Sequence, residues 1–292
     1  MKDQTDALYN NLLEELTKQK AQVENISGQL GKYLSPQIYN SIFSGKTNVE
    51  LKTARKKLTV FFSDIKDFTA TTADLQPEDL TYLLNNYFSE MSAIAIEHGA
   101  TIDKFIGDAM LIFTGDPETK GVMEDAQACL RMAVAMQHRM IDLAKSWRAE
   151  GYNMPFEMRI GINTGYCNVG NFGSEQRMDY TIIGEEVNLA ARLEDAADPG
   201  GILMSYETFA LVRDVVEAEE RTTIAMKGIK RKVRTFAVTK HLENDELERR
   251  VIHHEADGLR LYLDVDKLHG KSLRETKDHL KAALARLDRK SG

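Results

Sequence analysis

Hydrophobic and polar positions change period several times along the chain, and each change marks an element. Between residues 5 and 33, Tyr9, Leu16, Val23 and Leu30 fall at one heptad position and Leu12, Gln19, Ile26 and Tyr33 at the other. Alternating steps of three and four residues are the pattern of a coiled-coil seam, in which Gln19 costs stability but can set register. A lone amphipathic helix packed on its own domain is the other reading of this stripe. Gly28 and Gly31 weaken the end of the helix. Ser35-Pro36 then restarts one over Pro36 to Phe43, as N-cap and first helical residue.

The period then shortens. Leu58, Val60 and Phe62 alternate with Thr59, Phe61 and Ser63, which predicts a short, largely buried strand ending in Asp64. Gln76-Pro77-Glu78 opens a helix whose apolar face is Leu80, Leu83, Leu84, Tyr87, Met91 and Ile94, closed by Gly99. Two apolar strands flank Gly107-Asp108, a tight-hairpin signal. A second amphipathic helix runs from about Val122 to Trp147, with Ala126, Leu130, Ala133, Val134 and Ile141 on its buried side. Phe156 to Gly165 supplies a fourth strand, and Tyr166 to Phe172 is expected to return as its hairpin partner. Strand, helix, hairpin, helix, strand is the split order of a ferredoxin-like α+β sandwich.

Met178 to Gly184 then reads as a short strand running into a helix over Glu185 to Glu194, and residues 202 to 240 as short strands with one helix. Ser272-Leu273-Arg274-Glu275 has the form of a capping box for a last helix carrying Leu273, Leu280, Leu284 and Leu287. The organisation expected is a helical stalk and linker over residues 1–50, a main α+β domain over 51–241 and a helical extension over 242–292.

Composition narrows the classes. The chain of 292 residues is 42% hydrophobic and 28% charged, enough to bury a real core. A formal net charge of −7 with no basic stripe argues against a nucleic-acid binder. Cys129 and Cys167 lack metal-ligand spacing, which points to a reducing cytosol rather than a disulfide framework. No apolar run approaches the ~20 residues of a membrane span, and no signal peptide opens the chain. A cytoplasmic protein is expected, either by itself or as the cytoplasmic part of a larger sensor.

The chemistry gathers around acids. If the hairpin pairs beside the first strand, Asp64 at a strand end and Asp108 at a hairpin tip converge on one sheet edge, where two carboxylates make a divalent-metal site. Asp in a turn is also common for its own backbone hydrogen bonds. With their flanking sequences, Phe61-Phe62-Ser63-Asp64-Ile65 and Phe105-Ile106-Gly107-Asp108, the pair resembles the catalytic domain of the class III nucleotide cyclases over about residues 55 to 240. Asn188 and Arg192, four apart on one helical face, extend the likeness.

The resemblance implies roles residue by residue. Asp64 and Asp108, with the carbonyl of Ile65, match the metal ligands, and two Mg or Mn ions per site are implied. The turn from Lys66 through Phe68 and Thr69 matches the loop whose amides cradle phosphate, although Asp67 stands where the family often has Gly. Lys104 and Thr181 occupy the base-selecting positions. Adenine offers an acceptor at N1 and a donor at its exocyclic amine, which suits a lysine with a hydroxyl. Asn188 and Arg192 match the transition-state pair, Lys227 the terminal-phosphate lysine, and Arg177 is a further phosphate candidate.

An adenylyl cyclase acting on ATP is therefore the expected activity. In the family the metal acids come from one subunit and the remaining groups from the other, which implies a homodimer, with the stalk linking it to an upstream sensor domain. A guanylyl cyclase, a catalytically silent nucleotide-sensing dimerisation module and a ferredoxin-like RNA binder are the alternatives. The last is opposed by the acidic balance and the lack of paired aromatic strand motifs.

Overall fold

The computed structural model describes residues 2–46, 48–73, 75–152, 156–224, 232–241, 251–256, 259–264 and 268–291. They divide into two compact units, Met1–Thr239 and Lys240–Gly292. In the first, α1 (Lys2–Leu30) passes through a 3₁₀ turn at Gly31–Tyr33 into α2 (Pro36–Phe43). Ser35 caps α2 by accepting from the Ile38 N–H at 3.4 Å. A Cβ on Gly31 would meet the Tyr39 ring at 2.8 Å, so glycine lets this turn fold against α2. Of the heptad residues, Leu12, Leu16, Val23, Ile26, Leu30 and Tyr33 are exposed, so their apolar stripe is not buried against the rest of this chain.

The alternating elements that follow are β1 (Thr53–Ile65), α3 (Phe68–Thr71), α4 (Pro77–Glu97), β2 (Thr101–Ile106), β3 (Ala109–Thr114), α5 (Val122–Ala149), β4 (Met158–Ser174), β5 (Arg177–Ile183) and α6 (Glu185–Ala196). After them come β6 (Ile202–Ser205), α7 (Tyr206–Val212), β7 (Val216–Ile224) and β8 (Val233–His241). One sheet runs β2-β3-β1-β4-β6-β8-β7, with β5 paired to β4 off that path. β1 lies between β3 and β4, antiparallel to both, which is the split arrangement of the α+β sandwich.

Both faces of this sheet are covered, which explains why Leu58 to Phe61 are all buried instead of alternating with exposed positions. Phe61 and Ile65 join Tyr87 and Met91 of α4 and Leu130, Met136 and Trp147 of α5 in the main core. Leu58 and Val60 point the other way, to Phe113, Val169 and Ala190. Leu189 and Leu193 of α6 extend that second face toward Leu203 of β6.

In the first unit three expectations are corrected. β1 is long, pairing with β4 from Thr53↔Gly170 to Ile65↔Met158. β4 is likewise one continuous strand through Gly165 and Tyr166, and its hairpin partner is β5. The glycines suggested a turn but serve close packing. A Cβ on Gly165 would meet the Glu186 side chain at 2.6 Å, and one on Gly161 would lie 2.2 Å from both the Ala190 carbonyl oxygen and the Glu194 nitrogen. The backbone of α6 thus rests on the backbone of β4. Third, Ile141 is 56% exposed, because the buried stripe of α5 drifts to Met140, Leu143 and Trp147.

The second unit pairs β9 (Val251–Ala256) with β10 (Leu259–Asp264) and contains α8 (Gly270–Ser291). The extension therefore holds a hairpin as well as a helix. Ser272 lies inside the first turn of α8 and donates to the His269 carbonyl at 2.8 Å, instead of capping the helix as N-cap.

Replacing Gly161 with Ala drives a methyl group into helix backbone that no rotamer change can clear. We expect a loss of about 3 kcal/mol, read as a fall of roughly 6–12 °C in the thermal midpoint. An unchanged midpoint would show that α6 can lift off the sheet at no cost.

Candidate active site

Asp64 is the penultimate residue of β1, and Asp108 follows Gly107 in the turn between β2 and β3. Gly107 has φ +66°, in the left-handed region that favours glycine and lets the strands reverse within two residues. The hairpin brings Asp108 back onto β1, where its Oδ2 accepts from the Ile65 N–H at 3.1 Å. Burial, and after it the adjoining Asp64 carboxyl, push Asp108 up to about 6. The sequence-predicted acids and Ile65 are therefore brought together.

Two residues at this site were not anticipated. Arg159 sits directly across the ladder from Asp64. Its Nη2 lies 3.3 Å from Asp64 Oδ2 and 2.8 Å from Glu194 Oε1, with its side chain only 12% exposed. Burial first, then Asp64, Asp195 and Asp108, push Glu194 up to about 7, while Arg159 pulls it down. Arg159 had the sequence signal of a charge inside an apolar strand, Met158-Arg159-Ile160, but its partner is defined only by strand register.

A divalent cation fits this donor set. Two adjoining carboxylates, one with a pKa raised by burial and then by the other, offer charge that a cation relieves. Among the described residues no cluster of three or more His, Cys, Asp or Glu side chains could hold a metal. A hard cation such as Mg held here would take two carboxylates from the protein and fill its other coordination positions with further oxygen ligands.

The loop that follows β1 departs from its expected composition without strain beyond what aspartate tolerates. Asp67 has φ +50°, a left-handed conformation that explains why glycine suits this position and that Asp adopts more readily than most residues. Lys66 Nζ lies 3.0 Å from the Asp67 carboxylate and offsets its charge. Phe68 is half-buried, its ring 5.9 Å from that of Phe156, so the side chain anchors the loop; Thr69 is exposed.

Lys104 and Thr181 are joined through a residue the sequence reading passed over. Asp103, whose side chain on β2 is buried, accepts from Thr181 Oγ1 at 2.6 Å and from the Ile182 N–H at 3.1 Å, both at Oδ2. Its Oδ1 lies 3.3 Å from Lys104 Nζ. Burial raises the Asp103 pKa, opposed by these donors. Lys104 also lines a cleft of about 900 Å³ bounded by the Gly31–Pro36 turn, Ile96 and Tyr180.

Asn188 and Arg192 are exposed on α6, whose opposite face buries Leu189, Ala190, Leu193 and Glu194. Arg192 Nη1 lies 3.5 Å from Asp195. Arg177 is exposed at the turn end of the β4–β5 hairpin, opposite Ser174. Lys227 lies outside the described residues. Cys129 and Cys167 are both buried free thiols, and among the described residues no helix is long and apolar enough to cross a membrane.

An acid pair at the end of a strand inside the sheet of a split α+β sandwich, with a lysine and a threonine held elsewhere in that sheet by one carboxylate, is the arrangement of a nucleotide cyclase domain. Residues 51–240 match the model of the adenylate and guanylate cyclase catalytic domain, and the chain belongs to that class III family. Among relatives, Adenylate cyclase 1 of Rhizobium meliloti (strain 1021) is 33% identical over 177 residues, covering 60% of this chain and 26% of its own length. The chain thus spans about a quarter of that relative. The solved adenylyl cyclase CyaB from P. aeruginosa is 54% identical with a TM-score of 0.64, covering 65% of this chain and 97% of that one. The guanylyl cyclase Cya2 is 35% identical with a TM-score of 0.63, covering 66% and 97% respectively.

The raised Asp108 and Glu194 pKa values have a definite sign. Relative to their ordinary values, 3.8 and 4.5, both groups hold protons more tightly when folded, so the stability these two contribute to the metal-free fold is lost as pH rises from about 4 to 7. Asp108→Asn is expected to raise the thermal midpoint of metal-free protein at pH 7 and flatten its pH dependence while removing activity. Thermal melts in chelator across pH 5–8 check this; a lower midpoint for the variant at pH 7 contradicts it.

Proposed function

We propose that the chain is an adenylyl cyclase, converting ATP to 3′,5′-cyclic AMP and pyrophosphate in composite sites of a homodimer. The observation that carries the choice of base is the pairing of Lys104 with Thr181 around one buried carboxylate. This presents a cationic donor and a hydroxyl side by side, which suits adenine's N1 acceptor and exocyclic donor. The similarity to an adenylyl cyclase structure at 54% identity supports the same choice.

In the reaction the ribose 3′-hydroxyl gives its proton to solvent as its oxygen attacks the α-phosphorus, the bond from that phosphorus to the bridging oxygen breaks, and pyrophosphate leaves. Asp64, Asp108 and the Ile65 carbonyl would hold two Mg or Mn ions, which when bound acidify the 3′-hydroxyl and hold the triphosphate. Asn188 orients the ribose. Arg192 neutralises charge that builds on the α-phosphate. The amides from Lys66 to Thr69 contact phosphate, with Lys227 and Arg177 as further phosphate ligands. Arg159 keeps a guanidinium against Asp64 and limits the repulsion between the two acids.

Asn188 and Arg192 turn away from their own core, which supports their acting on the substrate held by a second copy's acids. The exposed apolar stripe of α1 supports pairing of two stalks into a coiled coil. Such a stalk fixes the relative placement of two catalytic domains and can connect them to a sensor upstream. A cytoplasmic location fits the free thiols.

Asp64→Ala and Arg192→Ala should each lower activity at least ~100-fold. Their exchanged mixture should recover about a quarter of wild-type activity, because half the dimers are mixed and each holds one intact site. No recovery despite demonstrated subunit exchange would end the cross-subunit arrangement. Guanylyl cyclase activity is the second reading, carried by the similarity to Cya2. Product formed from ATP against GTP distinguishes the two, and Lys104→Glu should lower that ratio by about 100-fold.

A further inference from the structure

We infer that Asp103 is a positioning residue that sets nucleotide specificity, by fixing which hydrogen-bonding character Thr181 and Lys104 offer the base. The inference rests on the reading that those two side chains face the purine. A threonine hydroxyl has one hydrogen and two lone pairs, and unaided it rotates to serve as donor or acceptor. Such a hydroxyl cannot by itself tell adenine's exocyclic amine from guanine's O6.

Here the hydrogen is committed. Thr181 Oγ1 donates to Asp103 Oδ2 at 2.6 Å, and that carboxylate is 1% exposed, so no water competes for the bond. What remains at Oγ1 is lone-pair density, which accepts from the amine of adenine and repels the O6 of guanine. The other oxygen, Oδ1, is buried and has no well-aligned hydrogen-bond partner, and its nearest cation is Lys104 Nζ at 3.3 Å. That attraction holds the ammonium beside Thr181, with its remaining hydrogens free for the N1 acceptor of adenine. Guanine carries a hydrogen at N1 and offers nothing there.

The backbone is shaped for this role. The β2–β3 register shifts between Ile102 and Lys104, leaving Asp103 at the irregularity. Bulges of this kind re-aim a side chain. Here the carboxylate reaches across to β5, where the Ile182 N–H also donates to Oδ2 at 3.1 Å and keeps that oxygen in place. A buried carboxylate is costly, and an apolar residue of the same shape would fill the space with less desolvation. It would not fix the polarity of its two neighbours.

The test measures kcat/KM of the full chain for ATP, GTP and inosine triphosphate, which shares the O6 and N1–H of guanine but lacks its 2-amino group. Asp103→Asn keeps the shape, yet an amide has one accepting atom where the carboxylate has two, so either Thr181 or Lys104 loses its constraint. The ATP-to-GTP and ATP-to-inosine-triphosphate ratios should both fall about tenfold, and Asp103→Leu should lower them further. In a Thr181→Val background, Asp103→Asn should change the ratios by a smaller factor than in wild type. Thermal melts establish folding, and if Asp103→Leu does not fold, Asp103→Asn decides.

Equal losses with all three nucleotides, leaving the ratios unchanged, would mean that Asp103 only supports the fold and would overturn the inference. If Thr181→Val and Lys104→Ala themselves leave the ratios unchanged, the base-facing reading fails first. If those two shift the ratios and Asp103→Asn does not, the reading stands and the role of Asp103 is wrong.

Discussion

Two carboxylates within reach of each other repel, and much of the first unit serves to keep Asp64 and Asp108 together. β1 is paired along its length on both sides, so Asp64 cannot withdraw without breaking a central strand. Asp108 is held by a two-residue turn and by the Ile65 N–H. Arg159 reaches the pair from β4 with its charge partly shared with Glu194. Burial, and after it the neighbouring Asp64 carboxyl, raise the pKa of Asp108 in this arrangement. Stability and chemistry are opposed there, and the fold sides with chemistry.

The rest of the architecture follows from placing that edge. A sheet covered on one face would leave β1 half exposed and free to twist or slip. Covering the other face with α6 completes the burial of Leu58 and Val60 and carries Asn188 and Arg192 on the helix's outer side. The same helix brings Glu194 inward to Arg159. One short element therefore stiffens the acid-bearing strand, tunes its charge and displays two polar groups outward. The β4–β5 hairpin does similar double duty, bringing Thr181 and Ile182 to Asp103 across the gap from β2.

Features that depend on local sequence were legible, and those that depend on register were not. Asp64 at a strand end, Gly107-Asp108 in a turn and the four-residue spacing of Asn188 and Arg192 each announce themselves within a few residues. The element order, and with it the split sandwich, follows from changes in hydrophobic period. Gly165 misled because a glycine that permits a turn and one that admits a neighbouring side chain look alike until the neighbour is known. Arg159 and Asp103 escaped notice for a related reason: a charge within an apolar strand declares that it has a partner, but only the ladder says which. Ile141 fitted a straight helical stripe, whereas the buried face of a long helix drifts around its axis.

Gly161 has a mechanical consequence. Most helices lie on sheets through a cushion of interlocking side chains, which can shear by fractions of an ångström as rotamers change. At this crossing there is no cushion, and main chain meets main chain. The helix is a fixed jaw whose height above the strand is set by van der Waals radii. A ligand that fits poorly cannot make α6 yield at this point, so adjustment falls to the outer atoms of the side chains it carries.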